Sequence, residues 1–115
     1  MELLIVDDEK TAVLAVIQGI HWNTLEFTQI HTAYNIAEAR DMLEAHDIQV
    51  LLCDIEMPMG TGLELLEWVN EYKPGILCIF MTCHAEFSFA QQALHLGSFE
   101  YILKPLDFDA LEQVL

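Results

Sequence analysis

Leu51-Leu52-Cys53-Asp54-Ile55-Glu56-Met57-Pro58-Met59-Gly60-Thr61-Gly62 is the stretch on which the fold turns. It opens as an apolar run of strand type and closes on Pro58, Gly60 and Gly62, residues that interrupt regular structure. Asp54 stands where the apolar run stops. In a parallel sheet the carboxyl end of a strand is where ligands bind. A carboxylate in such a place costs free energy unless it is paired, bound to a metal or reactive. Asp54 is therefore read as the reactive group, with much of the remaining chain serving to position it.

Outward from Asp54, strand-like and helix-like segments alternate. Leu3 to Val6 is nearly continuous in apolar residues, the pattern of a strand covered on both faces. Thr11 to Ile20 has helical spacing, with Val13, Ile17 and Ile20 on one face and Leu14 and Val16 widening it. A second strand is expected over Phe27–Thr32, then a helix over Ile36–Ala45 with Asn35 as its N-cap and Ile36, Ala39, Met42 and Leu43 as its buried stripe. Gln49–Cys53 is the third strand and Gly62–Tyr72 the third helix, ended by Pro74-Gly75. Ile76–Met81 is the fourth strand, and Glu86–Leu96 a fourth helix stopped by Gly97. Ser98–Leu103 is the fifth strand, and Asp107–Leu115 begins a last helix that is cut short. Five strand–helix units in alternation imply an α/β fold with a five-stranded parallel sheet, helices on both faces and right-handed crossovers. The flavodoxin-like order 2-1-3-4-5 suits that number of strands. Residues 1–115 read as one domain, without repeats or an internal linker.

Composition narrows the classes. At 115 residues and 54% hydrophobic, the chain can bury a core. Its net charge is −15, with only Lys10, Arg40, Lys73 and Lys104 basic, so it should repel nucleic acid and favour divalent cations or basic partner surfaces. Cys53, Cys78 and Cys83 have no metal-ligand spacing and lie in or beside apolar runs, as expected of buried free thiols in a reducing cytoplasm. There is no signal-peptide pattern and no apolar run long enough to span a bilayer, so no membrane association is expected.

The parallel sheet gathers chemistry at one edge. Strand one ends at Asp7-Asp8, strand three at Asp54, strand four at Thr82 and strand five at Lys104. In the order 2-1-3-4-5 the first and third strands are neighbours, which brings three carboxylates together. They cannot all stay ionised cheaply, so a pKa rises or a cation binds. Hard oxygen donors suit Mg²⁺. Asp54 then reads as a carboxylate nucleophile toward phosphorus, Thr82 as a hydroxyl donor and Lys104 as a positive charge for a phosphoryl oxygen. Singly, each residue has a plainer reading. Asp7-Asp8-Glu9 would cap the first helix through Asp8 or Glu9, Thr82 would cap a strand end, and Lys104 would be solvated. Their coincidence at matching strand ends favours the joint one.

With these residues in place, the chain resembles the receiver domains of two-component response regulators over nearly its whole length. The likeness rests on Leu4-Ile5-Val6-Asp7-Asp8-Glu9, Cys53-Asp54-Ile55-Glu56-Met57-Pro58 with Gly62, Met81-Thr82 and Tyr101-Ile102-Leu103-Lys104-Pro105. The resemblance implies that Asp54 accepts a phosphoryl group from a histidine of a sensor histidine kinase. It also implies Mg²⁺ bound by the carboxylates of Asp8 and Asp54 and the main-chain carbonyl of Glu56, with Asp7 acting through a water. Thr82 would bond the phosphoryl group, Tyr101 would swing inward, Lys104 would pair with the phosphoryl group, and the Lys104–Pro105 bond would be cis, a form X–Pro bonds tolerate. Such a domain is not an enzyme beyond its own phosphorylation and dephosphorylation.

A finer resemblance is to receivers that precede an AraC-type helix-turn-helix output domain. It rests on Ile20-His21-Trp22 with Leu25 and Phe27, Phe87-Ser88-Phe89-Ala90, and Gly97-Ser98-Phe99-Glu100-Tyr101. That DNA-binding domain is absent from these residues. The family likeness further implies a homodimer surface on the fourth helix, fifth strand and fifth helix, and kinase docking on the first helix. Glu56 and His84, each two residues beyond a reactive position, are expected to tune the lifetime of the phosphorylated form. Three alternatives fit less well. A dehalogenase-type phosphatase needs a nucleophilic Asp at the first strand with a second Asp two residues later, whereas Asp54 is on the third strand and Glu56 replaces the second acid. A nucleotide or flavin binder lacks a glycine-rich phosphate loop here. A phosphorylation-independent interaction module would not need the full set of reactive residues.

Overall fold

β1 (Glu2–Val6) and β3 (Val50–Asp54) lie side by side and parallel, with Leu3 opposite Val50 and Val6 opposite Cys53. That pairing is what a chain of buried strands joined by helices requires. The structure is a computed structural model that describes residues 1–20, 27–55, 57, 60–82 and 100–103, the last four and Thr82 by their main chain. The other elements are α1 (Lys10–Gly19), β2 (Gln29–Ala33), α2 (Ile36–Ala45), α3 (Gly62–Tyr72), β4 (Leu77–Thr82) and β5 (Glu100–Leu103). All neighbouring strands are parallel, in the order β2-β1-β3-β4-β5, as the sequence implied. The expected fourth helix Glu86–Leu96 and last helix Asp107–Leu115 lie outside the described residues.

The continuous apolar runs follow from a sheet covered on two sides. Alternate residues of one strand go to opposite layers. Leu3 and Ile5 join Val50, Leu52, Ile79 and Met81 beneath Val13, Val16 and Ile20 of the α1 segment. Leu4 and Val6 join Leu51, Cys53 and Phe80 beneath Ile36, Ala39 and Leu43 of α2 and Leu63, Leu66 and Val69 of α3. Leu3 through Val6 are all fully buried. No described helix is long and apolar enough to cross a membrane.

Helix entry is set by short side chains. Asn35 Oδ1 accepts from Glu38 N at 2.8 Å, and Asn35 Nδ2 donates to Glu38 Oε2 at 3.0 Å. Thr61 Oγ1 accepts from Glu64 N at 3.2 Å. These caps fix α2 and α3 at the bounds expected from the sequence. Asn35→Ala is expected to cost about 1 kcal/mol, read as a lower urea midpoint with an unchanged slope.

Two expectations shift. The second strand runs Gln29–Ala33 rather than Phe27–Thr32. Thr28 lies just ahead of the ladder, with its N–H and hydroxyl both donating to the Met1 carbonyl, at 2.7 and 3.1 Å. Phe27 packs against the α1-side core instead of pairing as a strand residue. On α1 the inward stripe is Val13, Val16 and Ile20, with Ile17 partly buried, and Leu14 is 52% exposed. Helical spacing left Leu14 at the margin of the stripe, and the sheet covers only its centre.

Candidate functional site

The β1–β3 register sets the site. Because Val6 faces Cys53, the next residue on each chain, Asp7 and Asp54, reaches the same edge of the sheet. Asp7 is 1% exposed and Asp54 7%, whereas Asp8 is exposed. One carboxylate oxygen from each of Asp7, Asp8 and Asp54 lies within 4.8 Å of the others. The main chain holds Asp7 in place, its N–H donating to the Ala33 carbonyl at the end of β2 at 3.2 Å. Asp7 Oδ1 accepts from Glu9 N at 3.1 Å, tightening the turn into α1. The cap residue of α1, Glu9, makes no side-chain cap bond. Capping by Glu9 therefore does not account for three acids in a row.

The acids act on one another. Although Asp8 is exposed overall, partial desolvation of its carboxyl raises it above its ordinary value, and a hydrogen bond to Asp7 and the Asp7 charge raise it further. A carboxyl raised on folding holds its proton more tightly in the folded state. Its unfavourable contribution is absent below the unfolded pKa, grows as pH rises toward the folded pKa, and is complete above it. Asp8→Asn is expected to raise the melting temperature at neutral pH by roughly 2–4 °C, given partial solvent screening, and to have little effect at pH 3. Scanning calorimetry at the two pH values checks this. Three converging carboxylates, two of them buried, form a hard-oxygen set that fits Mg²⁺.

The chain after Asp54 is tied down on both sides. Ile55 N donates to the Met81 carbonyl at 3.3 Å, and Gly62 N donates to the Ile55 carbonyl at 2.7 Å. Gly60 has φ +142°, a conformation few other residues adopt. Gly62 is needed for a different reason. A Cβ there would press on the Asp54 main-chain oxygen and come within 2.9 Å of Phe80 Cε1 and 3.1 Å of Cys53 Sγ. The first residue of α3 thus sits directly against the backbone of Asp54. Cys53 Sγ donates to the Asp54 carbonyl at 3.1 Å. Burial, followed by the nearby Cys78, Asp54 and Asp7 groups, pushes the Cys53 thiol well up, and burial pushes Cys78 up to about 12. Both are free and buried, as expected of inert packing thiols. Sequence reading marked Gly62 as the helix start but missed its contact with Asp54, because the signal, a glycine eight residues on, has many other uses.

The neighbouring strands extend this edge. Asp54 pairs with Met81, which places Thr82 one residue further along β4, opposite Leu103 at the end of β5. The main chain of Tyr101 pairs with Phe80, two residues back from the edge. Glu56, His84, Lys104 and Pro105 lie outside the described residues, and so do the expected carbonyl ligand, water-side tuning pair and cis bond.

Known proteins resemble this chain over nearly its whole length. An uncharacterized response regulatory protein of Staphylococcus epidermidis is 28% identical over 99% of this chain, which spans 45% of that relative's length. The structure superposes on the receiver domain of AraT, a response regulator from Geobacillus stearothermophilus, with TM-score 0.89 and 34% identity, covering 98% of this chain and 88% of that one. It also matches a two-component transcriptional regulator AraC from Clostridium phytofermentans, with TM-score 0.84 and 32% identity, covering 99% of this chain and 90% of that one. The sheet order, the acidic edge and the response regulator receiver domain model, which matches residues 3–115, agree: the chain belongs to the receiver domain family of two-component response regulators.

Proposed function

We propose that this domain is a phosphorylation switch in which Asp54 takes a phosphoryl group from a phosphohistidine of a sensor histidine kinase. The observation that carries the reading is the buried Asp54 carboxylate at the end of β3, with oxygens of Asp7 and Asp8 within 4.8 Å. A carboxylate oxygen of Asp54 attacks phosphorus, the phosphorus–nitrogen bond breaks, and its electron pair returns to the imidazole. Asp8 and Asp54, with the Glu56 carbonyl and with Asp7 through water, would hold Mg²⁺. Mg²⁺ supplies positive charge that offsets the acids and the phosphoryl oxygens. Thr82 and Lys104 bind phosphoryl oxygens, and Tyr101 follows Thr82 inward. The domain's catalysis is confined to its own phosphorylation and dephosphorylation.

The phosphorylated state changes a surface that controls an output domain, in the manner of a two-state equilibrium biased by a new charge. Likeness to an AraC-named regulator supports a DNA-binding output of that type. The −15 net charge argues that DNA contact belongs to the output and not to this domain. The dimer surface is formed by β5 with the segments whose sequence reads as the fourth and last helices, Glu86–Leu96 and Asp107–Leu115, and the setting is the cytoplasm.

Acetyl phosphate with Mg²⁺, followed by intact mass measurement, tests the reading. One phosphoryl adduct is expected, dependent on the divalent ion. Wild-type protein that gains no adduct would overturn it. Glu56→Ala and His84→Ala are each expected to change the adduct's half-life by about 2- to 10-fold, within the usual reach of a positioning contact. Unchanged decay in both variants would remove these residues from any tuning role.

A further inference from the structure

The described residues contain a second group of convergent metal-ligating side chains, Glu2, His31 and His46, at the opposite end of the sheet from Asp54. Glu2 is the first residue of β1, and Asp7 follows its last. At about 3.3 Å per residue Glu2 stands roughly 16 Å from Asp7 along the strand, and His31, opposite Leu4, roughly 10 Å short of the level of Asp7. Chemistry separates them too, because one is all carboxylate and the other is two imidazoles and a carboxylate.

We propose that Glu2, His31 and His46 form a binding site for a borderline transition-metal dication of the Zn²⁺ class, independent of the acidic phosphoacceptor site. One donor atom from each residue lies within 4.8 Å of the others. His31 Nε2 is 2.8 Å from Glu2 Oε1, and the His31 and His46 rings stack with centroids 4.0 Å apart and planes at 26°. Zinc bonds of about 2.0–2.1 Å bring donors to within roughly 3.3 Å of one another. The Glu2–His31 pair is already closer than that, and the exposed His46 ring would leave its stack on His31 to aim a nitrogen at the same ion.

The backbone at each ligand is fixed before any ion arrives. Glu2 N donates to Gln49 Oε1 at 2.6 Å, and the Glu2 carbonyl accepts from Gln49 N at 3.1 Å. His31 sits in the middle of β2, opposite Leu4. His46 caps the C-terminus of α2, its N–H donating to the Met42 carbonyl at 3.0 Å and its carbonyl accepting from Ile48 N at 3.2 Å. Three ligands on three separately anchored segments make a site that needs little ordering on binding. Three protein ligands also leave a fourth tetrahedral position for water. Imidazole selects Zn²⁺ over Mg²⁺, which prefers all-oxygen octahedral shells. Bound there, the ion would clamp the end of α2 to the β1–β2 edge and stabilise the fold by mass action.

The test is Zn²⁺ titration of the whole chain by calorimetry in excess Mg²⁺, on an Asp8→Asn background that weakens the acidic site. Co²⁺ in place of Zn²⁺ gives the visible absorption of a tetrahedral nitrogen–oxygen site. One ion is expected, with a raised melting temperature. His46→Asn keeps a good helix-terminating residue at an exposed position, so it should fold, and it should weaken binding at least 10-fold and abolish the Co²⁺ spectrum. His31→Gln should do the same. Binding and spectrum unchanged in His46→Asn, or no Zn²⁺ bound in excess Mg²⁺, would overturn the proposal.

Discussion

Asp54→Asn is expected to give a folded domain that takes up no phosphoryl group from acetyl phosphate, a loss on the order of 10³-fold or more in the rate of adduct formation. The substitution keeps the size and shape of the side chain but removes the anionic oxygen that must attack phosphorus. It leaves the surroundings in place. The Cys53 thiol still donates to the carbonyl of residue 54, and that residue still pairs with Met81 across the sheet. One of three converging negative charges is gone, so the melting temperature at neutral pH should hold or rise. Intact mass reports the adduct and scanning calorimetry the fold. A variant that gains phosphate at the wild-type rate would assign the acceptor to another residue.

What made Asp54 legible in the sequence was the topology and not the residue. A lone Asp after an apolar run is ambiguous. Asp7-Asp8 and Asp54 became a site once alternation implied a parallel sheet, because all strand ends then share one edge and β1 and β3 are neighbours. The α2 and α3 bounds were legible for a local reason, since Asn35 and Thr61 cap main-chain groups three residues on. β2 was started two residues early because Phe27 is apolar for packing and not for pairing. The Glu2–His31–His46 group was invisible in the sequence. It depends on the β1–β2 register and on where α2 stops, and the spacing of the three residues carries no sign of either. The pressure of Gly62 on Asp54 was hidden for the same reason, as a contact between a helix start and the strand before it.

That contact gives the larger structural prediction. Gly62→Ala is expected to destabilise the domain by about 3 kcal/mol, at the upper end of what overpacking costs. The added methyl would meet the Asp54 main-chain oxygen first, then Phe80 Cε1 at 2.9 Å and Cys53 Sγ at 3.1 Å. None of the three yields easily. The oxygen belongs to a strand paired on both sides, by β1 at Cys53 and by β4 at both Cys53 and Asp54. Phe80 and Cys53 are fully buried, so neither has open space to move into. The strain should relax by moving α3 away from β3, which opens the core at Leu63 and Leu66 and displaces Asp54 from Asp7. Phosphorylation should therefore slow even in the folded fraction. Gly75→Ala gives the scale of a purely backbone cost. Gly75 has φ +98° with nothing within 4 Å of an added Cβ, so its substitution carries only the backbone cost of about 1 kcal/mol. Urea unfolding of the two variants separates the causes. Gly62, unlike Gly75, has no positive φ, so a loss at Gly62 no larger than that at Gly75 would mean that the methyl is accommodated, and the close packing of α3 on the phosphoacceptor strand would lose its claim to position Asp54.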